Sequence, residues 1–144
     1  MTSSVSQSVV QSEIQTLTAG VHHVGLTVSD LQASVDFFTQ VLGFSTVGGK
    51  PDYPATFVSD GTTLLTLWQI KEPGLVRPFD RHQQVGLHHL ALKASIPLQD
   101  LYTRLNSSPG VEIEFAPEAL GSTGLHHLMC RIPGGLRLEL VGHV

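Results

Sequence analysis

The sequence predicts an α+β fold in which two tandem βαβββ modules form a curved mixed sheet around a cleft. The segment VHHVGLTVSDL, which begins at Val21, returns in shortened form as LHHLALKA, which begins at Leu87. In each half of the chain a helical pattern and then three strand patterns follow this segment, so the chain repeats one supersecondary unit. We expect modules at residues 20–70 and 86–144, joined by a linker at 71–85.

The first module can be followed from its capping and turn residues. Ser29 and Asp30 offer oxygens that cap a helix, and Gly43 ends it. Gly48-Gly49 and Asp60-Gly61 are typical of turns between strands. The predicted elements are a strand at 21–28, a helix at 31–42, and strands at 44–47, 55–58 and 62–70.

The second module repeats this order after a linker, KEPGLVRPFDRHQQ, that lacks a hydrophobic period and contains two prolines. Pro97 occupies a first helical turn, and the run SSPG that begins at Ser107 stops the helix. The predicted elements are a strand at 86–94, a helix at 97–106, and strands at 111–115, 125–131 and 136–141.

The first strand of each module has one apolar face and one face that opens with a histidine. Read with a period of two, His23 shares its face with Gly25, and His89 shares its face with Ala91. A strand that buries an apolar row on one side and offers a histidine and a very small residue on the other is suited to the floor of a cavity. We hypothesise that His23 and His89 meet there on a metal ion.

Glu139 is the carboxylate that could join these histidines. It alternates with leucines in the last strand, LRLEL, so it faces either solvent or the cleft, and the duplicated plan favours the cleft. His23, His89 and Glu139 would then supply two imidazoles and one carboxylate to a metal-binding cleft. This set suits Fe(II), Mn, Co, Ni or Zn and leaves coordination positions open for water or substrate.

His126 and His127 form a third histidine pair. By parity His127 shares a face with Met129, whereas His126 shares a face with Leu128 and Cys130. If the face that carries Leu128 packs on the helix, His127 faces the cleft, where it can act as a general acid or base. A polar residue in the cleft wall is the alternative interpretation.

Composition narrows the classes of function. The chain has 144 residues, enough for one domain with a core, and a net charge of −4, which gives no electrostatic case for binding nucleic acid or an anionic membrane. Cys130 is the only cysteine, so no intramolecular disulfide forms. No apolar run reaches the ~20 residues of a membrane span, and no Lys or Arg precedes Lys50. We expect a cytoplasmic protein with a flexible N-terminal arm at residues 1–19 and a single domain at 20–144.

The opening HHVGLTVSDLQASVDFFTQVLGF, the restart LHHLALKA and the closing IPGGLRLEL resemble the vicinal oxygen chelate superfamily. That superfamily includes glyoxalases, extradiol dioxygenases, methylmalonyl-CoA epimerases, fosfomycin-modifying thiol transferases and metal-free bleomycin-binding proteins. The resemblance implies one divalent metal ion, held by His23, His89 and Glu139, that chelates two neighbouring oxygens of a small-molecule substrate. It also implies a homodimer, since many members with one module pair complete their clefts across a dimer.

The same resemblance indicates which residues contact substrate. Thr66 stands where glyoxalases and epimerases carry a fourth, carboxylate ligand, and a threonine there leaves that position open. Met129 stands where dioxygenases and thiol transferases carry a tyrosine. We expect Thr66, Trp68, Met129 and Tyr53 to bind substrate, and Phe57 is a further candidate for the pocket wall.

Three functions are compatible with this sequence. The leading one is a divalent-metal-dependent enzyme that acts on a small oxygenated molecule by lyase, isomerase or dioxygenase chemistry. The second is a non-catalytic protein that binds a drug or metabolite in a dimer groove, as the bleomycin-resistance proteins do, although such members typically lack the metal ligands. The third is a regulatory domain with a structural metal, which a fourth protein ligand would favour.

Overall fold

Each module folds as a four-stranded mixed sheet with one helix against it, as predicted. The computed structural model describes residues 14–144, so most of the expected arm at 1–19 lies outside the described residues. The first module consists of β1 (Val24–Val28), α1 (Leu31–Asp36), a π-helical turn (Phe37–Val41), β2 (Ser45–Lys50), β3 (Ala55–Ser59) and β4 (Leu64–Gln69). After a 3₁₀ turn (Pro73–Leu75), the second consists of β5 (Leu90–Lys93), α2 (Leu98–Asn106), β6 (Glu112–Ala119), β7 (His126–Arg131) and β8 (Arg137–Gly142).

The two sheets have the same topology. Their strand orders are β1-β4-β3-β2 and β5-β8-β7-β6. In each sheet the first strand of the module pairs in parallel with the last, and the other pairings are antiparallel. The first strand of each module is therefore an edge strand, with one side free of sheet hydrogen bonds. Of the helices in residues 14–144, none has the length and apolar character needed to cross a membrane.

The helix predicted at 31–42 consists of two parts. Asp30 caps α1, and its side chain accepts a hydrogen bond from the Ala33 backbone N–H at 3.0 Å. The chain then widens into the π-helical turn, in which Leu42 N–H bonds the Phe37 carbonyl at 3.3 Å. This wider turn accompanies the burial of two consecutive phenylalanines, Phe37 and Phe38.

The turn predicted at Gly48-Gly49 is wrong, because both glycines lie inside β2. The chain turns at residues 51–54 instead. The glycines are needed for close packing within the sheet. A Cβ at Gly48 would lie 3.1 Å from the Phe57 ring, and one at Gly49 would lie 2.7 Å from the Ala55 carbonyl oxygen.

The apolar faces of both sheets and both helices meet in one shared core. Polar contacts between the modules border it. Ser29 N–H bonds the Gly134 carbonyl at 3.1 Å, the Ser34 hydroxyl bonds the Pro133 carbonyl at 3.2 Å, and Arg104 Nε donates to the Val41 carbonyl at 2.7 Å. The fully buried side chains of this core come from both modules: Phe38, Val58, Leu65, Leu67, Leu98, Leu105, Leu128, Cys130 and Leu138.

This shared core decides which way the other sheet faces point. Because the apolar rows of β1 and β5 turn inward, the faces that carry Gly25 and Ala91 turn outward, and both residues are exposed. The strands also begin later than predicted, so His23 and His89 stand just before β1 and β5 rather than within them.

The turn between β7 and β8 provides a matched test of the contact between modules. Gly134 and Gly135 have φ of +96° and +98°, so an alanine is strained at either position. A Cβ at Gly134 would also overlap the Ser34 hydroxyl and approach Val28, whereas one at Gly135 meets nothing within 4 Å. We expect Gly134→Ala to lower the free energy of unfolding by about 1–3 kcal/mol more than Gly135→Ala does, measured by urea denaturation. Equal losses would show that the modules do not depend on this contact.

Candidate metal and substrate site

Glu139 lies at the centre of a polar cluster on the outward face of the second sheet. His89 Nε2 is 3.6 Å from its Oε1, and His127 Nδ1 is 2.7 Å from its Oε2. Because a carboxylate only accepts hydrogen bonds, the Nδ1–H of His127 is the donor in the shorter contact. The side chain of Glu139 is 13% exposed and that of His89 is 32% exposed. The cluster is therefore shielded on the His127 side and open to solvent on the His89 side.

Strand register explains why these groups meet. Glu139 is in register with Ala91 on β5 and with Met129 on β7, so all three lie on one face. Leu138 and Leu140 are buried on the opposite face. Glu139 therefore faces away from the core, which is compatible with both outcomes predicted from the sequence, solvent or a cleft.

His127 lies on the same outward face as Glu139, because the face of β7 that carries Leu128 packs inward. This is the orientation that His127 needs if it is to face a cleft. Leu128 and Cys130 are fully buried in the core, so the other face of β7 carries His127. Its Nε2 lies 3.6 Å from Glu118 Oε1, and its ring packs edge-on against Phe115 with centroids 4.9 Å apart. His127 therefore connects the shielded Glu139 to Glu118, whose side chain is 61% exposed.

The first module groups three of the predicted substrate-binding residues. Trp68 Nε1 donates to Thr66 Oγ1 at 2.9 Å, and the Tyr53 ring meets Trp68 edge-on with centroids 5.1 Å apart. Thr66 is buried and in register with Gly25 on β1. A Cβ at Gly25 would lie 3.2 Å from Thr66 Oγ1, so the glycine keeps the space beside the threonine hydroxyl free of a side chain. Met129 is not part of this group, because it lies in the second module.

The two histidine pairs have the same local geometry. The Nδ1 atoms of His22 and His23 are 2.9 Å apart, and those of His88 and His89 are 2.8 Å apart. In each pair, the first histidine therefore contacts Nδ1 of the second histidine. This contact leaves Nε2 of the second histidine available as a ligand. In metal sites the non-ligating nitrogen of a histidine is also held by a neighbour, although that neighbour is usually a carboxylate, a backbone carbonyl or water.

The donor atoms fit half of a divalent metal site. Imidazole nitrogen from His89 and carboxylate oxygen from Glu139 are ligands for the borderline divalent metals. Within residues 14–144, however, no group of three or more His, Cys, Asp or Glu side chains is arranged to hold a metal ion. The described chain therefore does not bring His23 to His89 and Glu139, and their meeting stays a prediction.

The sequence predicted no role for two arginines that lie beside this cluster. Arg137 Nε and Nη2 bond the Glu114 carboxylate at 3.0 Å and 2.9 Å, and Arg131 Nε lies 3.3 Å from it. The hydrogen bond from Arg137 is the main cause that lowers the pKa of Glu114 below its usual value. Desolvation, and then the charge of Arg137, lower the pKa of His88. The parity of LRLEL places Arg137 with Glu139, and that signal could have pointed to it.

Cys130 is excluded as a nucleophile. Its side chain is buried in the core, and burial raises the pKa of its thiol to about 12. The thiolate, which is the reactive form, is therefore not populated near neutral pH. The residue is a small buried hydrophobic group of the core.

The Glu114 pairs predict how stability depends on pH. Because its pKa is lowered in the folded protein, Glu114 stabilises the fold fully above the usual pKa of about 4.5 and ceases to do so as pH falls through the lowered pKa. Glu114→Gln should therefore reduce the loss of unfolding free energy seen between about pH 6 and about pH 3. Glu112→Gln is the control, since Glu112 lies on the same strand and forms no ion pair with any described residue. A steeper loss in Glu114→Gln than in the wild type would contradict this assignment.

Comparisons with known proteins agree on the family. A family model described as the Glyoxalase/Bleomycin resistance protein/Dioxygenase superfamily matches residues 20–140. The chain is 30% identical over 144 residues to a 2-epi-5-epi-valiolone epimerase from an Actinomyces species, covering 84% of this chain and 78% of that protein. It is also 30% identical over 136 residues to virulence protein STM3117 of Salmonella typhimurium, covering 91% and 89%.

Solved structures share the fold. The crystal structure of the same Salmonella protein superposes with a TM-score of 0.66, covering 90% of this chain and 100% of that one at 26% identity. A lactoylglutathione lyase from Agrobacterium tumefaciens superposes with a TM-score of 0.65, covering 88% and 96% at 22% identity. The fold, the residues matched and the vicinal oxygen chelate resemblance thus agree: the chain belongs to the glyoxalase, bleomycin resistance protein and dioxygenase superfamily.

Proposed function

We propose that this protein is a divalent-metal-dependent enzyme that acts on a small oxygenated molecule by lyase, isomerase or dioxygenase chemistry. The observation that carries this proposal is the pairing of His89 Nε2 with the Glu139 carboxylate on an outward sheet face. When bound, the metal ion would polarise two neighbouring substrate oxygens as a Lewis acid. Similarity to a protein named as an epimerase favours isomerase chemistry among the three. A cytoplasmic location remains a prediction.

A second copy of the chain is proposed to supply the third ligand. His23 precedes β1 and His89 precedes β5, and both strands lie at the edge of their sheets. Edge strands offer unpaired backbone groups to another chain. In a homodimer in which β1 of one copy approaches β5 of the other, His23 of one protomer would join His89 and Glu139 of its partner.

The same dimer would enclose the substrate. The first module contributes Thr66, Trp68 and Tyr53, and the second contributes Met129 beside Glu139. The Tyr53 side chain is a large apolar group left 56% exposed, as expected for a wall that faces another surface. The aromatic residues would exclude water from one side of the substrate, and the histidines and Glu139 would bind its oxygens on the other.

His127 is proposed to orient Glu139. Its Nδ1–H holds Oε2 of the carboxylate, which leaves Oε1 directed toward His89. The remaining nitrogen, Nε2, lies on the Glu118 side and is the one that could accept a proton. A role for His127 as general acid or base, as expected from sequence, would therefore use Nε2, whereas orientation of Glu139 uses Nδ1.

Two variants that each remove one proposed metal ligand test where the metal site lies. We expect the wild type to bind one divalent ion per chain, and neither His23→Ala nor Glu139→Gln to bind any, by mass spectrometry after loading with Fe(II), Mn, Ni or Zn. If the site spans two copies, a mixed dimer of these variants has one doubly damaged site and one intact site. Each mixed dimer should therefore bind one ion, whereas the two homodimers should bind none.

The mixed dimer separates the alternatives. A site within one chain predicts no metal in either variant or in their mixture. A wild-type protein that binds none of these metals would overturn the enzyme proposal in favour of the non-catalytic binding protein. Circular dichroism of each variant is the control for folding, because Glu139 and His23 lie outside the apolar core.

Two substitutions at His127 separate its two nitrogens. Asparagine offers a donor near the position of Nδ1, and glutamine offers one near the position of Nε2. If His127 orients Glu139, His127→Gln should lower metal affinity by about 10–100-fold and His127→Asn by much less, as measured by isothermal titration with Mn²⁺. Unchanged metal affinity in both variants, together with lost turnover, would assign His127 to acid–base chemistry alone.

A further inference from the structure

A groove of about 530 Å³ lies between β1, the linker and the turn that precedes β8. It is lined by residues 25–28 of β1, by Ser29, which follows β1, and by Phe79 of the linker. The volume is typical of sites for small organic molecules and is too small for a macromolecule. The first property that distinguishes this groove is its charge.

Four of the five arginines in the chain line the groove, and no Asp or Glu does. These arginines come from two separate segments: Arg77, Arg81, Arg131 and Arg137. The chain as a whole has a net charge of −4, so this concentration of positive charge runs against the overall balance. A concave surface with one sign of charge raises the local concentration of ligands of the opposite sign.

The nearby Glu114 neutralises only part of this charge. It pairs with Arg137 and Arg131. In the part of the chain that the structure describes, neither Arg77 nor Arg81 forms an ion pair. Toward the described residues, these two guanidinium groups thus have unused donors, and such groups bind carboxylate and phosphate oxygens through paired hydrogen bonds.

The groove is next to the candidate metal site. Arg137 stands two residues before Glu139 on the same face of β8, and its Nη1 lies 3.4 Å from His88 Nδ1. His88 in turn contacts His89. At the other side, Gly25 lines the groove and is in register with Thr66. A small molecule could therefore reach both the arginines and the proposed metal ligands.

We propose that the groove binds the anionic end, a phosphate or a carboxylate, of the small oxygenated molecule on which the enzyme acts. This inference rests on the proposed function for its second half, since the neutral end of the molecule would offer its two neighbouring oxygens at His89 and Glu139. The groove itself rests only on the arginines. Arg77 and Arg81 supply guanidinium groups that form no ion pair with the described residues. Arg137, which is held by Glu114, lies on the side of the groove nearest the proposed metal site.

The experiment uses the full chain without added metal and titrates it with inorganic phosphate or with acetate at constant ionic strength. The readout is the NMR signal of each arginine Nε–H group. We expect saturable shifts for Arg77, Arg81 and Arg137, and none for Arg104, whose guanidinium bonds backbone carbonyls outside the groove. Tighter binding of phosphate than of acetate would identify a phosphate ester as the substrate class, and the reverse order a carboxylic acid.

A charge-matched pair of double variants tests specificity. Arg77→Ala with Arg81→Ala should weaken binding by roughly five- to tenfold, as expected for two partly solvated ion pairs. Lys50→Ala with Lys93→Ala removes the same charge from positions that do not line the groove, and should leave the affinity unchanged. Equal weakening in both would overturn the inference, as would the absence of saturable shifts in the wild type with either anion.

The Glu139→Gln variant keeps the two proposals distinct. Anion binding should persist in it, because Glu139 does not line the groove. Binding of the anion without any binding of metal would overturn the proposed function and support anion binding in the groove. Binding of metal without any binding of the anion would support the proposed function and overturn the inference that the groove binds an anion.

Discussion

The shared core between the two modules is the constraint on which the rest of the structure depends. Both sheets turn their leucine-rich faces toward it, and the two helices complete it. An apolar face buried on this scale outweighs any preference of the few polar residues opposite. The polar residues of β8 and β7 are therefore held on the outer side, with Glu139 and His127 fixed on the same face.

Alternation along single strands made part of the site predictable. The parity of LRLEL and of HHLMC was enough to place Glu139 and His127 on one face, since burying Leu138 and Leu128 leaves no other arrangement. The duplicated βαβββ order likewise predicted the mixed sheets of the two modules, although not which strands pair. These are local rules, and they held in both modules.

Relations between distant segments were not predictable in the same way. Alternation along a strand shows which residues share a face. It does not show which module that face contacts, so the contact of His23 with His89 could not be derived from it. The glycines of β2 look like a turn because sequence does not show the Phe57 ring that packs over Gly48. Likewise, the linker arginines follow no periodic pattern in the sequence. Their place in the groove depends on the β1 edge strand beside them, which the sequence does not show.

In the proposed dimer, the separation of His23 from His89 and Glu139 would link metal affinity to protein concentration. Two ligands on one face give a weak site, and a third that arrives with another chain strengthens it only when the chains are associated. By mass action, metal and subunit would each increase the affinity of the protein for the other. Dilution would then release the ion, so abundance in the cell, and not only metal supply, would determine how much of the protein is loaded.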